Sequence, residues 1–257
     1  MKKIELAIYL TNLNGFKYWE PKFKRVYFGN EFCEKLIPSR EELKEVLDFA
    51  DKKKMGFSLL TCQVSDFFLK KIYNLFSVLR KKDEIVVNDW GIFNIISKDF
   101  KKMLPNCIFG KFLINNISIL SEPIQEFLKK WGFVRKRFEM EIFSFTRFPP
   151  LSFSREPIIK NYPGLKISLY YPYSYITTAR FCPYLDYKDK RFQKPDFVCP
   201  KPCQKYTFVA DHPIKKGGKL FLKGNTWFIK QVGPSISRMR RDFPNIDRLV
   251  YMPTIPI

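Results

Sequence analysis

The sequence predicts an α/β protein built on a TIM-type (β/α) barrel. Three observations predict this class. Short runs of β-branched and aromatic residues recur along the first half of the chain, amphipathic helical patterns lie between them, and the run 84–88 is apolar enough for burial on both faces. A β-α-β-α order predicts a parallel sheet with helices packed outside it. About eight strands in a chain of this length suit a TIM-type barrel, either complete or with some outer helices missing.

The first helix has the clearest beginning, since Ser39 and Glu42 have the spacing of a capping box ahead of apolar residues that recur through Ala50. Gly56 ends this helical pattern. The elements predicted around it are, in order, a strand at 25–29, this helix, a strand at 57–61, a helix with an apolar face from 68 to 79, a strand at 84–88, a helix at 92–103 and a strand at 108–114.

The second half of the chain is less regular. Strands are predicted at 139–145, 165–171 and 248–252, and a hairpin is predicted at 219–222 and 227–229 around Gly224 and Asn225. A Pro- and Lys-rich loop spans 181–207, and a loop of this length inside a compact domain is usually functional or disordered. No linker divides the chain, so we expect a single barrel domain over 1–257.

The charge of the chain is strongly positive. Lys and Arg number 46 against 25 Asp and Glu, a net charge of +21, which suits an anionic partner such as RNA. The basic and aromatic stretches 16–19 and 135–138 could stack bases and neutralise phosphates. An AT-rich genome produces the same skew toward Lys and Phe in any protein, so both explanations stay open. The hydrophobic content of 46% excludes a disordered chain.

Other features narrow the location and the class of chemistry. No run approaches the ~20 apolar residues of a membrane span, and Glu5 interrupts any signal-peptide pattern, so a cytoplasmic protein is expected. His212 is the single histidine, which excludes His-rich metal sites and leaves one candidate for any histidine-based triad. We recognise no nucleophile and base pair in the sequence.

Six cysteines in a cytoplasmic chain point to metal binding, redox chemistry or burial rather than to disulfides. Cys182, Cys199 and Cys203 lie in or beside the long loop. Cys182 follows the strand predicted at 165–171, and Cys33 follows the strand at 25–29. Loops that follow the strands of a parallel barrel open on one face, so these four residues, here the four-cysteine group, can converge. Four thiolates suit either an iron–sulfur cluster or a tetrahedral zinc ion. The two remaining cysteines are expected to be small buried hydrophobic residues: Cys62 and Cys107.

Four further residues are candidates for a pocket beside the cysteines, each with a structural alternative. Asn88 and Asp89 end a buried strand and could bind substrate, or could form an Asx turn that caps the next helix. Arg180 could donate to a cluster sulfide or an anionic substrate, or could form a surface salt bridge. Tyr27 could face the pocket or fill the barrel.

The segment Val26–Gly29, the capped helix and the segment Val87–Gly91 resemble the bacterial collagenase-like peptidase family. The resemblance is closer to the UbiV branch, which acts in oxygen-independent ubiquinone biosynthesis. That branch has a cysteine soon after its tyrosine-bearing "VYxG" strand, a late "ARC" segment and a downstream CxxxC pair. Here the late segment is 178–182, with one residue inserted before Cys182, and the pair is Cys199 and Cys203.

The resemblance implies a TIM-type barrel whose loop 181–207 binds a [4Fe–4S] cluster through the four-cysteine group. It also implies oxygen-independent hydroxylation of a quinone precursor, together with a sister protein of the same family (UbiU-like) in a heterodimer. Two alternatives remain. Another branch is linked to pyrimidine hydroxylation in RNA, which the positive charge favours, and the cysteines could instead hold a structural zinc ion in a non-catalytic binding protein.

Overall fold

The computed structural model describes residues 4–113, 137–141, 166–179, 181–185, 194, 197–213, 217–231 and 246–257. The helices within these ranges are α1 (Arg40–Lys52), α2 (Asp66–Phe76) and α3 (Trp90–Asp99). The strands are β1 (Glu5–Leu10), β2 (Arg25–Gly29), β3 (Gly56–Leu60), β4 (Glu84–Val87), β5 (Cys107–Phe109), β6 (Arg137–Glu141), β7 (Lys166–Tyr171), β8 (Tyr173–Thr178), β9 (Phe208–Asp211), β10 (Lys219–Lys223), β11 (Thr226–Lys230) and β12 (Ile246–Tyr251). None of the described helices is long and apolar enough to cross a membrane.

Eight parallel strands form a curled sheet in the order β1-β12-β7-β6-β5-β4-β3-β2. Strand β1 pairs with β2 on one side and with β12 on the other, which closes the ring. The predicted α/β class and its TIM-like parallel sheet are therefore confirmed. The described outer α-helices follow β2, β3 and β4, and much of the chain that follows β5, β6 and β7 lies outside the described residues.

Helix α1 begins as the sequence predicts. The Glu42 amide donates to Ser39 Oγ at 3.1 Å, and the Ser39 amide donates to the Glu42 carboxylate at 2.7 Å, which completes the capping box. The face of α1 that packs against the sheet consists of Leu43, Val46, Leu47 and Ala50. The second predicted helix is shorter than expected and ends at Phe76.

The predicted strand at 108–114 is wrong in its length, because β5 ends at Phe109. The following Gly110 lies against the carboxamide of Asn88, so closely that a Cβ atom would clash with it. The Phe112 amide then donates to the same carboxamide oxygen at 3.1 Å, which turns the chain away from the sheet. Of the strand predicted at 139–145, the described part is β6.

A second, antiparallel sheet has the strand order β8-β11-β10-β9. Its centre is the predicted hairpin, in which β10 and β11 pair around Gly224, whose φ is +59°. The sequence analysis missed β8 and β9, and it also missed β1, which completes the barrel. Phe228 of this sheet is fully buried against Phe32, which follows β2, so the second sheet covers the carboxyl ends of the barrel strands.

A network of charged side chains fills the opposite end of the barrel, where the strands begin. The Arg248 guanidinium, 3% exposed, lies 2.7 Å from the Glu84 carboxylate and 2.6 Å from that of Glu5. Arg25 joins the same two carboxylates at 3.2 and 3.0 Å. We call these four residues the interior ion-pair network. The Tyr27 hydroxyl accepts a hydrogen bond from the Arg248 guanidinium at 2.6 Å.

Candidate metal centre

Cys33 lies just beyond the carboxyl end of β2, in a loop that side-chain hydrogen bonds hold in place. Gly29 ends the strand with φ +126°, where a Cβ atom would meet the Leu60 carbonyl of β3, so glycine is required there. The Asn30 carboxamide oxygen then accepts from the amides of Phe32, at 2.9 Å, and Cys33, at 2.8 Å. Cys33 is thereby fixed at the start of the single 3-10 turn Glu34–Leu36.

Cys199 and Cys203 lie at the two ends of a short turn with the sequence Cys-Pro-Lys-Pro-Cys. Lys201, between the prolines, has φ +54°, and its amide donates to the Cys199 sulfur at 3.4 Å. Cys203 is 4% exposed and lies in the 3-10 turn Pro202–Gln204. Cys182 was expected directly after the strand at 165–171, but β8 intervenes, so the chain reaches Cys182 from the second sheet.

The structure brings the four-cysteine group into one electrostatic neighbourhood. The pKa of Cys33 is raised to about 12, mainly by burial and in part by the thiolates of Cys203, Cys182 and Cys199. The pKa of Cys203 is raised to about 11, again mainly by burial and in part by Cys182 and Cys199. Among the described residues, however, no three or more His, Cys, Asp or Glu side chains are arranged as a metal-binding group. The thiols therefore share a desolvated region without forming a preassembled set of ligands.

Two polar side chains join the cysteine-bearing loops across this region. The Asn225 carboxamide donates to the carbonyl of Phe32, at 2.9 Å, and to that of Ala179, at 2.7 Å. The Tyr184 hydroxyl, two residues after Cys182, donates to the Leu222 carbonyl at 2.8 Å. Loops that are far apart in the sequence are thus hydrogen-bonded to one another around the four-cysteine group.

The barrel mouth beside this group contains a buried ion pair that the sequence analysis missed. The Lys111 ammonium lies 2.9 Å from the Glu31 carboxylate, and their side chains are 3% and 0% exposed. The same ammonium lies 4.1 Å from the centre of the Tyr170 ring and 5.1 Å from that of Phe32. Only Glu31 had a signal in the sequence, because it comes two positions after the predicted strand at 25–29, whereas Lys111 lies inside the strand predicted at 108–114.

The four candidate pocket residues have different environments. The Asn88 carboxamide donates to Glu31 at 3.2 Å and to the Thr61 carbonyl at 2.8 Å, so it ties strand ends together at the barrel mouth. The Asp89 carboxylate accepts from the amide of Ile92 and caps α3. Tyr27 is fully buried inside the barrel.

Three candidates remain from the sequence analysis. Arg180 lies outside the described residues. Cys62 and Cys107 are 0% and 2% exposed, which confirms that they are small buried residues. Cys62 nevertheless lies close enough to Cys33 for that thiolate to raise its pKa, after the larger effect of burial.

The comparisons with known proteins include a structural neighbour with a similar fold. No protein-family model matches the chain, and a search of curated proteins finds no match. A solved structure described as that of the U32 peptidase Mk0906 superposes with a TM-score of 0.53 and 9% sequence identity. The match covers 100% of this chain and 96% of that chain. This likeness shows the fold alone. The neighbour is a collagenase-like (U32) peptidase, and its fold is consistent with the TIM-like sheet described above.

Proposed function

We propose that this chain is a [4Fe–4S] protein of the UbiV type that acts in the oxygen-independent hydroxylation of a quinone precursor. The observation that carries the proposal is that Cys33 and Cys203 pack in one cluster with Phe32 and Phe228 beside the carboxyl ends of the barrel strands. Cys182 and Cys199 lie near enough to raise the pKa of both thiols. Functional sites of parallel barrels lie at this end, built from the loops that follow the strands.

The donor chemistry of the four-cysteine group fits a cationic iron–sulfur centre. Thiols ligate metals as thiolates, but burial and mutual repulsion keep Cys33 and Cys203 protonated without a cation. A positive centre bound among them would offset both effects, because it replaces thiolate–thiolate repulsion with attraction. Cys199 and Cys203, separated by a short turn with two prolines, would hold one side of the centre and Cys33 the other.

A bound cluster would supply one-electron transfer at this site. The chain's own residues have separate tasks there. Asn225 holds the loops of Cys33 and Cys182 together, and Phe32 packs between the four-cysteine group and the buried ammonium of Lys111. This ammonium is the cationic group of the barrel mouth, fixed by Glu31, and would orient an oxygen atom of the substrate.

The substrate class and the partner follow from the sequence resemblance to UbiV, which also implies a UbiU-like sister protein in a heterodimer and a cytoplasmic location. Proteolysis is not proposed, although the structural neighbour is described as a peptidase. The only histidine of the chain, His212, lies directly after β9 in the second sheet, so a histidine-based protease mechanism would depend on this one residue.

A second candidate function is hydroxylation of a pyrimidine in RNA, on the same barrel. The surface around the start of β9 favours it, because Tyr206 and Phe208 are 64% and 55% exposed and the neighbouring Lys205 is also exposed. Exposed aromatic rings among lysines can stack bases and neutralise phosphates. RNA binding that weakens steeply between 50 and 200 mM salt, about 10³-fold or more for six or more phosphate contacts, would favour this candidate.

The test is anaerobic purification and reconstitution, followed by an absorption spectrum and by iron and acid-labile sulfide assays. We expect brown protein with about four iron and four sulfide atoms per chain. Cys33→Ala and Cys203→Ala should lose the cluster. Cys107→Ala is the matched control and should retain it, since Cys107 is buried at the start of β5 with its sulfur 3.6 Å from the Met103 carbonyl.

Two results would overturn the proposal. Colourless protein that holds zinc through the same cysteines would identify a structural zinc site, which is the non-catalytic alternative. Protein that takes up no metal after anaerobic reconstitution would remove metal chemistry altogether.

A further inference from the structure

The side chain of Asn30 has a buried hydrogen-bond donor for which no acceptor is found among the described residues. Asn30 is 1% exposed and directly follows β2. Its oxygen atom is doubly used, by the amides of Phe32 and Cys33. A buried donor without a partner costs about 1–3 kcal/mol, so native proteins rarely leave one unless a ligand or water supplies the acceptor.

The orientation of this carboxamide is fixed by its contacts. Exchanging its oxygen and nitrogen would point the Nδ2 protons at two backbone N–H groups, which are themselves donors. Oδ1 lies 2.8 Å from the Cys33 amide nitrogen. Since the two outer atoms of a carboxamide are about 2 Å apart, Nδ2 lies within roughly 5 Å of the Cys33 backbone. The Nδ2 donor of Asn30 therefore lies next to Cys33, whose pKa the other three thiolates raise.

The turn itself does not explain why an amide is present. Aspartate makes the same two Oδ1 contacts and is equally common in turns of this kind. What asparagine adds is the Nδ2 donor, together with the absence of a negative charge beside Glu31 and the four-cysteine group. An acceptor that carries negative charge on sulfur would use both properties.

We propose that Asn30 Nδ2 donates a hydrogen bond to a sulfide of the cluster when the site is loaded. Asn30 is thus a positioning residue that also sets the reduction potential of the cluster. This inference rests on the proposed function. A hydrogen bond to sulfur stabilises the reduced, more negative state of a cluster, so the bond raises the reduction potential.

The test compares the reconstituted full-length protein with Asn30→Asp, and with Asn74→Asp as a control that adds the same charge on the exposed side of α2. Resonance Raman spectra in H₂O and D₂O report exchangeable protons that are bonded to the cluster sulfurs. We expect a solvent-isotope shift in the Fe–S stretching bands of the unmodified protein, and we expect Asn30→Asp to reduce it. The reduction equilibrium should shift about tenfold toward the oxidised state in Asn30→Asp, or about 59 mV for one electron. Asn74→Asp should leave both unchanged.

The outcomes separate this inference from the proposed function. If the unmodified protein binds a cluster, and Asn30→Asp keeps the same isotope shift and the same reduction potential, only the inference is overturned. The donor to sulfur is then a buried water or a backbone amide. An unmodified protein that forms no cluster overturns both. If Asn30→Asp fails to assemble, pulsed EPR of the reduced unmodified protein with ¹⁵N in its asparagine side chains decides instead. A resolved ¹⁵N coupling supports the inference, and its absence overturns it.

Discussion

Replacing Glu84 by glutamine should destabilise the barrel strongly at neutral pH and scarcely at all in acid. Burial raises the pKa of Glu84, but the Arg248 and Arg25 guanidinium groups and the Ser58 hydroxyl together outweigh burial, and the pKa falls from 4.5 to about 2. At about 1.4 kcal/mol per pH unit, this fall corresponds to about 3 kcal/mol of folding stability. Because the folded-state pKa lies below that of the unfolded chain, this stability is present above pH 4.5 and is lost as the pH falls toward 2.

The assay is urea unfolding of the wild type and of Glu84→Gln at pH values from 7 to 2.5. The difference in unfolding free energy should be about 3 kcal/mol at pH 7 and should shrink steadily below pH 4.5. Glu45→Gln, on the exposed side of α1, is the control and should change stability by less than about 0.5 kcal/mol. A Glu84→Gln deficit that stays constant across this pH range would refute the assignment of the effect to the charge of Glu84.

Two further predictions concern stability. Lys111→Met should lower the unfolding free energy in urea by about 3–5 kcal/mol, because it leaves the Glu31 carboxylate buried without its cation. The double variant Lys111→Met/Glu31→Leu should be more stable than this single variant. Additive costs of the two substitutions would contradict the pairing. Ser39→Ala should lower the unfolding free energy by about 1 kcal/mol, since both hydrogen bonds of the α1 capping box depend on Ser39; a change below about 0.3 kcal/mol would show that the box contributes little.

The first half of the fold could be predicted because local signals there agree with the tertiary structure. Strand β2 coincides with the strand predicted at 25–29, and both hydrogen bonds of the predicted α1 capping box are present. Prediction from the sequence failed where a tertiary contact determines where an element ends. Strand β5 stops at Phe109 because of the contact between Gly110 and Asn88, and residues more than twenty positions apart leave no periodic signal in the sequence.

The second sheet escaped prediction for a different reason. Strands β8 and β9 have exposed side chains at neighbouring positions, and so on both sides of the strand. They therefore lack the clear alternation of apolar and polar residues that predicts a strand with one buried side. The missed β8 also misdirected the expected position of Cys182. The four-cysteine group could still be proposed from the sequence, because residues that follow barrel strands share one face regardless of sequence distance.

The ion pair of Glu31 and Lys111 shows what a single sequence conceals at the site. Each residue on its own resembles an ordinary surface charge, of which this basic chain has many. The sheet places the end of β2 and the end of β5 across the same barrel mouth, and only this juxtaposition makes the two charges partners.

The pairing of the first barrel strand with the last has a consequence for the synthesis of the protein. Strand β1 leaves the ribosome long before β12, yet its second neighbour in the ring is β12. Until then one edge of the nascent sheet has unpaired backbone groups, which invites contact with other chains. The Asn225 bridge to the loop of Cys33 is also made late, because it spans 193 positions in the sequence. A metal centre that uses both Cys33 and Cys203 is therefore completed late, because it has to wait until the loop that contains Cys203 has been synthesised.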